Sequence, residues 1–280
     1  MKPTLIFLLS WLSCQAVVVN DAMGLEKAME YAKPFDAVVA IGHVDKKGET
    51  FIYGTGVLID TETVLTAHHL PVDSEDLVFF GPDASQPLHV IGVKEHIDDF
   101  IEETGDELDN ANGTDLALIK LNQPVKDIQP LPIITNIDLL KSKTATVIGY
   151  GFKGIGSKGN STKANTLRHA GQNTVDTLSP EEFGYRWVLD FDNGTEACNE
   201  MGSATRLEME ASIAAGDSGG PLLVQYEGEW FVAGITNAGY SEDDIDADYG
   251  EVNMFTGLGT ERVKEWLGFY TTANLHKFRR

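Results

Sequence analysis

The sequence predicts an all-β protein, and two observations indicate this class. Short runs rich in Val, Ile, Leu and Phe recur at regular spacing along most of the 280 residues. Glycine, proline and aspartate separate these runs, a pattern typical of the turns in a β-sandwich or β-barrel. The predicted strands cover residues 35–44, 51–59, 64–67, 77–80, 88–93, 116–121, 144–150, 185–191, 208–213, 222–226 and 230–236.

The first 16 residues have the pattern of a secretory signal peptide. Lys2 supplies a positive start, residues 5–9 are apolar, and residues 14–16 resemble a cleavage site. The apolar run is too short to cross a bilayer. A lipoprotein with an acylated Cys14 is the alternative. We therefore expect a secreted protein.

An N-terminal segment, residues 17–33, follows the predicted signal peptide. It contains a helix-like patch made by Leu25, Ala28, Met29 and Ala32, and Pro34 ends it. Residues 151–163 are rich in Gly, Ser and Lys, which predicts a mobile loop. Near the end, residues 261–267 predict a C-terminal helix whose apolar face carries Val263, Trp266 and Leu267.

The charge and cysteine content exclude several classes of protein. The formal net charge of −22 disfavours binding to nucleic acid or to an anionic membrane surface. After removal of the signal peptide only Cys198 remains, so an internal disulfide cannot form. Sequons at Asn112, Asn160 and Asn193 are glycosylation acceptors if the source is a eukaryote.

The stretch around which the chain is organised is Gly-Asp-Ser-Gly-Gly-Pro, residues 216–221. A serine on a glycine-rich turn suits a nucleophile, but it needs a base to take its proton. The N–H groups of Gly216 and Ser218 are candidates for binding the oxyanion of an attacked carbonyl. Taken alone, the stretch also fits a glycine-rich surface turn.

Two further stretches supply a candidate base and a candidate carboxylate. Residues 64–70 read Val-Leu-Thr-Ala-His-His-Leu, and the pKa of His69 allows it to take and return a proton near neutral pH. Adjacent residues of a strand point to opposite faces, which disfavours a metal ion shared with His68. Asp115 begins the apolar run 115–119, where a buried carboxylate needs a partner such as His69.

These three stretches resemble the motifs of the chymotrypsin/trypsin-like serine protease family. The resemblance implies that His69 is the general base and acid, Asp115 orients it and Ser218 attacks the substrate. It also implies two six-stranded antiparallel β-barrels, together with the C-terminal helix, in a protease domain over residues 34–280. An α/β-hydrolase would need the histidine after the serine, where only His276 occurs.

The resemblance extends to activation and to substrate binding. It implies that a new N-terminus pairs with Asp217, and Val17 is the candidate if signal removal creates it. A propeptide reaching to about Lys33 is the alternative. Ser212 matches the base of the primary specificity pocket, where serine implies a neutral base. Asn237 and Gly239 match the strand that pairs with the substrate, and Gly239 is expected to leave the pocket mouth open.

The sequence allows three interpretations of the acidic loop, residues 242–248. It is a solvated loop, a ligand for Ca²⁺, or an attractor of basic substrate side chains. No cofactor and no other metal is expected.

The sequence therefore predicts a secreted serine endopeptidase acting on proteins or peptides, with either a large apolar or a basic residue before the cut. A non-catalytic homologue that binds a protein partner through the same cleft is the main alternative, and a secreted esterase is another.

Overall fold

The computed structural model describes residues 17–98, 115–136, 140–160, 166–241, 245 and 247–277. The predicted signal peptide, the sequon at Asn112 and residues 242–244 and 246 of the acidic loop lie outside these ranges. Within them, neither helix has the length and apolar character needed to span a bilayer.

The all-β prediction is confirmed, because strands dominate the described residues and only two α-helices occur there. The helices are α1 Leu25–Ala32 and α2 Glu261–Tyr270, with a 3₁₀ turn at Glu196–Cys198. The strands are β1 Val18–Val19, β2 Val38–Val44, β3 Thr50–Asp60, β4 Thr63–Thr66, β5 Leu77–Phe80, β6 His89–Ile97, β7 Ala117–Leu121, β8 Ile133–Ile134, β9 Thr144–Gly149, β10 Gly154–Ile155, β11 Gly159–Asn160, β12 His169–Thr174, β13 Thr177–Pro180, β14 Tyr185–Asp190, β15 Ala211–Ser212, β16 Pro221–Tyr226, β17 Glu229–Tyr240, β18 Val252–Gly257 and β19 Leu275–His276.

The first half of the molecule is a closed barrel of six antiparallel strands in the order β2-β3-β4-β7-β6-β5. Closure removes the unpaired edges that an open sheet would present to other chains. Its interior is filled by branched and aromatic side chains, among them Val57, Leu65, Phe79 and Leu118, each at most 2% exposed. The barrel therefore forms a rigid support for the loops at its ends.

The second half is a nine-stranded sheet whose main path runs β12-β9-β16-β17-β18-β14-β13, with β8 and β19 attached beside β17. The Asn173 side chain of β12 donates a hydrogen bond to the carbonyl of Asp190 in β14 at 2.8 Å, which draws two separated strands together. Trp187, Phe231 and Phe255 are buried in its core. The indole N–H of Trp187 donates to the carbonyl of Ala233 at 3.1 Å, so this buried polar group is satisfied.

The N-terminal segment is built into the second half. Strand β1 pairs antiparallel with β15 and parallel with β10. Strands β10 and β11 pair inside the stretch predicted as a mobile loop, and two-residue strands are too short for a hydrophobic pattern to reveal. Helix α1 matches the predicted helix-like patch, and its Ala28 and Ala32 are buried.

The predicted C-terminal helix is confirmed as α2. The Thr260 side chain caps it by accepting a hydrogen bond from the Val263 N–H at 3.2 Å. Val263, Trp266 and Leu267, the predicted apolar face, are buried.

Candidate active site

The glycine-rich stretch forms a tight loop between β15 and β16. Gly216 and Gly219 have φ values of +89° and +80°, which favour glycine over residues with a side chain. A Cβ atom on Gly219 would lie 2.0 Å from the Thr66 side-chain oxygen and 2.3 Å from the Thr55 carbonyl oxygen. The loop of the second half thus packs directly on the first barrel, and only glycine allows that approach.

The first barrel brings His69 and Asp115 together through the pairing of two strands. His69 follows the end of β4, and Asp115 precedes β7. Because β4 pairs with β7 with Thr66 opposite Ala117, the residues just beyond this pair become neighbours. Their juxtaposition follows from the register of the barrel.

Three side chains form a continuous hydrogen-bonded chain across the two halves. The His69 Nδ1 atom lies 2.8 Å from Asp115 Oδ2, and His69 Nε2 lies 2.7 Å from Ser218 Oγ. The backbone N–H of His69 also donates to Asp115 Oδ1 at 3.0 Å. Asp115 is 1% exposed, whereas the His69 side chain is 26% exposed. This arrangement allows a proton to move from the serine hydroxyl to the imidazole while a buried carboxylate holds the ring.

Asn237 contacts the same carboxylate, which sequence reasoning missed. Its Nδ2 donates to Asp115 Oδ2 at 2.7 Å from the middle of β17. The sequence predicted Asn237 only as part of a strand beside the substrate. Since 122 positions separate the two residues, no local pattern could reveal the contact. Asp115 therefore receives three donors, and its orientation is fixed from both halves.

The backbone amides of the loop differ in whether they have an acceptor. The amides of Asp217, Gly219 and Gly220 donate to the carbonyls of Ala214, Thr236 and Asp217 at 2.8–3.0 Å. In the described part of the chain, by contrast, the amides of Gly216 and Ser218 donate to no protein acceptor. These are the two amides that the sequence predicts for an oxyanion site.

Thr55 of β3 anchors this loop to the first barrel. Its N–H donates to the Ser218 carbonyl at 2.9 Å, and its hydroxyl donates to the Gly216 carbonyl at 3.1 Å. The nucleophile candidate is thereby tied to the half that carries His69.

Asp217 and Val17, predicted as an activation pair, lie in contact. The Asp217 carboxylate is 1% exposed and accepts hydrogen bonds from the amides of Ala214 at 2.9 Å and Gly151 at 2.8 Å. It also accepts one from the backbone nitrogen of Val17. Burial raises the pKa of Asp217 to about 7 despite these donors. A cation at Val17 would remove the cost of ionising this carboxyl.

Two of the residues predicted for the substrate pocket, Ser212 and Gly239, are covered by neighbouring side chains. Ser212 is fully buried and bonded to Asn253, whose Oδ1 lies 3.1 Å from the Ser212 hydroxyl. Gly239 was expected to leave the pocket mouth open. Instead, a Cβ atom placed on Gly239 would lie 2.1 Å from the Glu251 Oε1 atom, so a carboxylate already covers this glycine.

A second feature of the second half is what we call the buried carboxyl cluster. It consists of Asp190, Asp192 and Glu210, which are buried, and Asp176, which is half-buried. Asp190 Oδ2 accepts two backbone N–H groups of the 3₁₀-turn region, each at 2.7 Å. Burial and the neighbouring carboxylates raise the pKa of Asp192 to about 7. Burial also raises the pKa of Glu210 to about 8, although the Leu207 N–H donates to it. Burial therefore favours the protonated forms of Asp192 and Glu210 near neutral pH.

A family comparison covers most of the chain. The model of the trypsin family matches residues 23–256, a range that contains every predicted site residue except Val17. In the residues that the structure describes, no group of three or more His, Cys, Asp or Glu side chains is placed to hold a metal ion.

Proposed function

The chain belongs to the trypsin family, and we propose that it is a secreted serine endopeptidase that uses Ser218, His69 and Asp115. The observation that carries this proposal is the unbroken hydrogen-bonded chain from Ser218 Oγ through the His69 ring to Asp115. Family membership supports a serine peptidase in general, and this geometry supports a working one.

In the proposed reaction, His69 Nε2 takes the hydroxyl proton as Ser218 Oγ attacks the carbonyl carbon of the scissile peptide bond. Asp115 stabilises the imidazolium that forms and keeps Nδ1 protonated. The amides of Gly216 and Ser218 bind the oxyanion. His69 then gives the proton to the leaving amine, and water hydrolyses the acyl-enzyme through the same base.

We also propose that removal of residues 1–16 creates the active N-terminus. The resulting Val17 ammonium would face the Asp217 carboxylate and stabilise the loop that carries Gly216. The contact between the Val17 nitrogen and Asp217 supports this start. The integration of β1 and α1 into the second half argues against a propeptide that ends near Lys33, because its removal would strip these elements from the fold.

The test is to express the full chain in a secreting host and to sequence the N-terminus of the secreted protein. The same sample is treated with a fluorophosphonate probe and offered a mixed peptide library, with Ser218→Ala as the control. We expect a start at Val17, labelling of Ser218 and peptide cuts that are absent from the control. A start near residue 30 would overturn the activation proposal.

The rival functions predict different outcomes of the same experiment. A non-catalytic homologue would start at Val17 but would neither react with the probe nor cut peptides. An esterase would react with the probe and hydrolyse ester substrates while leaving the peptide library intact. Either result would overturn the endopeptidase proposal.

A further inference from the structure

Two buried side chains of the second half reach into the first barrel. Tyr150 directly follows β9 and is fully buried, and Arg168 directly precedes β12 and is 1% exposed. The Tyr150 hydroxyl donates to the carbonyl of Gly81, just after β5. The Arg168 Nη1 atom donates to the carbonyl of Val38, in β2, at 2.8 Å. The two side chains therefore connect the halves through main-chain acceptors of the first barrel.

Arg168 also fixes the tyrosine ring. Its Nη1 atom donates to the Tyr150 hydroxyl at 3.4 Å. Its Nη2 atom donates to Asp36 Oδ1 at 3.2 Å and to the Lys33 carbonyl at 3.3 Å. The guanidinium group is planar and rigid, so acceptors on several sides hold it in one orientation. Burial raises the pKa of Tyr150 to about 12, so its hydroxyl keeps the proton that it donates to Gly81.

The main chain beside the same tyrosine holds the glycine-rich loop. The Tyr150 N–H donates to the Thr55 hydroxyl at 3.1 Å, and that hydroxyl donates to the Gly216 carbonyl at 3.1 Å. The N–H of Gly151, the next residue, donates to Asp217 Oδ1 at 2.8 Å. A movement of the Tyr150 main chain is therefore transmitted to the two residues that directly precede the proposed nucleophile.

We propose that Tyr150 is a positioning residue, with Arg168 as the group that fixes its ring, and that it aligns the amides of the proposed oxyanion site. This inference rests on the proposed function. The phenol is anchored in the first barrel while the adjacent main chain bonds the loop, so the ring sets where the amides of Gly216 and Ser218 stand. These amides bind a charge that develops only as Ser218 attacks, so their alignment should raise kcat and hardly affect substrate binding.

The test compares the wild type with Tyr150→Phe, which keeps the ring and removes the hydroxyl. The ring loses its bonds to Gly81 and Arg168, and a small displacement of the reacting groups is enough to slow an enzyme. We expect kcat for a peptide substrate to fall on the order of 10-fold, while KM stays within about twofold. The rate at which the fluorophosphonate labels Ser218 should fall in parallel, because that reaction uses the same amides.

Arg168→Lys tests whether the arginine acts through the tyrosine. It keeps the positive charge and loses the planar fork, so alone it should lower kcat, though less than Tyr150→Phe does. Combined with Tyr150→Phe, it should cause no further fall in kcat, because the contact that it supports is already gone. Its own kcat and KM decide the question if Tyr150→Phe does not fold.

Tyr185→Phe is the matched control. Tyr185 is 4% exposed and its hydroxyl accepts the Gly259 N–H at 2.8 Å, yet its ring packs on Trp187 in the core of the second half. The same loss of a buried hydroxyl should lower the melting temperature and leave kcat within about twofold. A thermal melt of each variant measures the cost in stability. A fall in kcat confined to Tyr150→Phe therefore separates positioning from general stability.

Three outcomes would overturn the inference while leaving the proposed function intact. The first is a wild-type kcat in Tyr150→Phe, or in Arg168→Lys where that variant takes its place. The second is an equal fall in kcat in Tyr185→Phe, and the third is a further fall when Arg168→Lys is added to Tyr150→Phe. A wild type that neither labels nor cuts would overturn the proposed function and this inference together.

Discussion

The two halves of the molecule treat buried carboxylates in opposite ways. In the first barrel, burial acts to raise the pKa of Asp60, yet the N–H groups of Glu62 and Thr272 and the charge of Lys120 bring it below its usual value. Asp115, at the edge of the same barrel, has three donors. In the second half, burial raises the pKa of Asp217 to about 7 and that of Glu210 to about 8.

This difference indicates a division of labour. Asp60 and Asp115 of the first barrel have donors within the folded chain, among them Thr272 and Asn237 from outside that barrel, so neither carboxylate depends on a new N-terminus. In the second half, the N–H donors to Asp217 and Glu210 do not offset the effect of burial. These carboxyl groups are therefore stabilised by a bound proton or, for Asp217 in the proposed activation, by the Val17 ammonium group. We therefore expect the charge state of the second half to respond to pH and, under the proposed activation, to processing.

The sharpest way to test the comparison is to remove the charge of Asp115. We expect Asp115→Asn to lower kcat by about 10⁴-fold, because the amide favours the wrong tautomer of His69. The melting temperature should also fall, because the amide NH₂ group would face donors that the carboxylate accepted. Steady-state kinetics and a thermal melt measure the two effects. Asp127→Asn, an exposed residue paired with His89, serves as the control. Activity within tenfold of the wild type would contradict the role of Asp115.

The second test breaks the proposed ammonium pair in the other half. Asp217→Asn in the mature protein should lower kcat/KM by roughly 10²–10³-fold, the scale of losing one oxyanion donor. Adding one glycine before Val17 displaces the ammonium group and should cause a similar loss, while leaving Asp217 in place. Both proteins are compared by active-site labelling and peptide hydrolysis. Full activity in the glycine-extended protein would show that the pair is not required.

The smallest expected effect is on stability: the contribution of a buried carboxyl group in the second half should depend on pH. Glu210 keeps its proton in the folded state up to about pH 8, while the unfolded chain releases it near its ordinary value of 4.5. The folded state thus binds more protons between these values, and stability falls as the pH rises through that window. Glu210→Gln removes this loss, so its melting temperature relative to wild type should rise by on the order of 3–6 °C between pH 5 and pH 8.

Asp60→Asn is the matched control for the pH test. The folded-state pKa of Asp60 lies below 3.8, so its contribution is already complete at pH 5 and the variant should differ from wild type by a constant amount. An equal offset for Glu210→Gln at both pH values would contradict the contrast between the halves.

The sequence predicted many of the strands, because these depend on local patterns, and the side chains of its three motifs lie together in the structure. The run 77–80 matches β5 residue for residue, and Ser218 is marked by the glycines that its turn needs. Contacts between residues far apart in the sequence leave no local pattern from which they could be predicted. Asn237 on Asp115, Glu251 on Gly239 and the buried carboxyl cluster depend on strand register, which arises only when the sheets assemble.

Other elements were missed because their patterns are weak. Strand β12 reads His-Ala-Gly-Gln-Asn-Thr, with few of the branched or aromatic residues typical of strands. The predicted strand 208–213 shrinks to Ala211–Ser212, because Glu210 turns its carboxylate back to the amide of Leu207.

The anchoring of the glycine-rich loop by Thr55 makes the active site sensitive to any movement between the two halves. His69, the proposed base, belongs to one half and Ser218, the proposed nucleophile, to the other, and the two hydrogen bonds of Thr55 tie the loop of Ser218 to the first barrel. A slip of one half past the other by an ångström would separate Ser218 from His69 while both hydrophobic cores remained intact. If the proposed function is right, we expect activity to report the alignment of the two halves, and heating should abolish activity before the hydrophobic cores unfold.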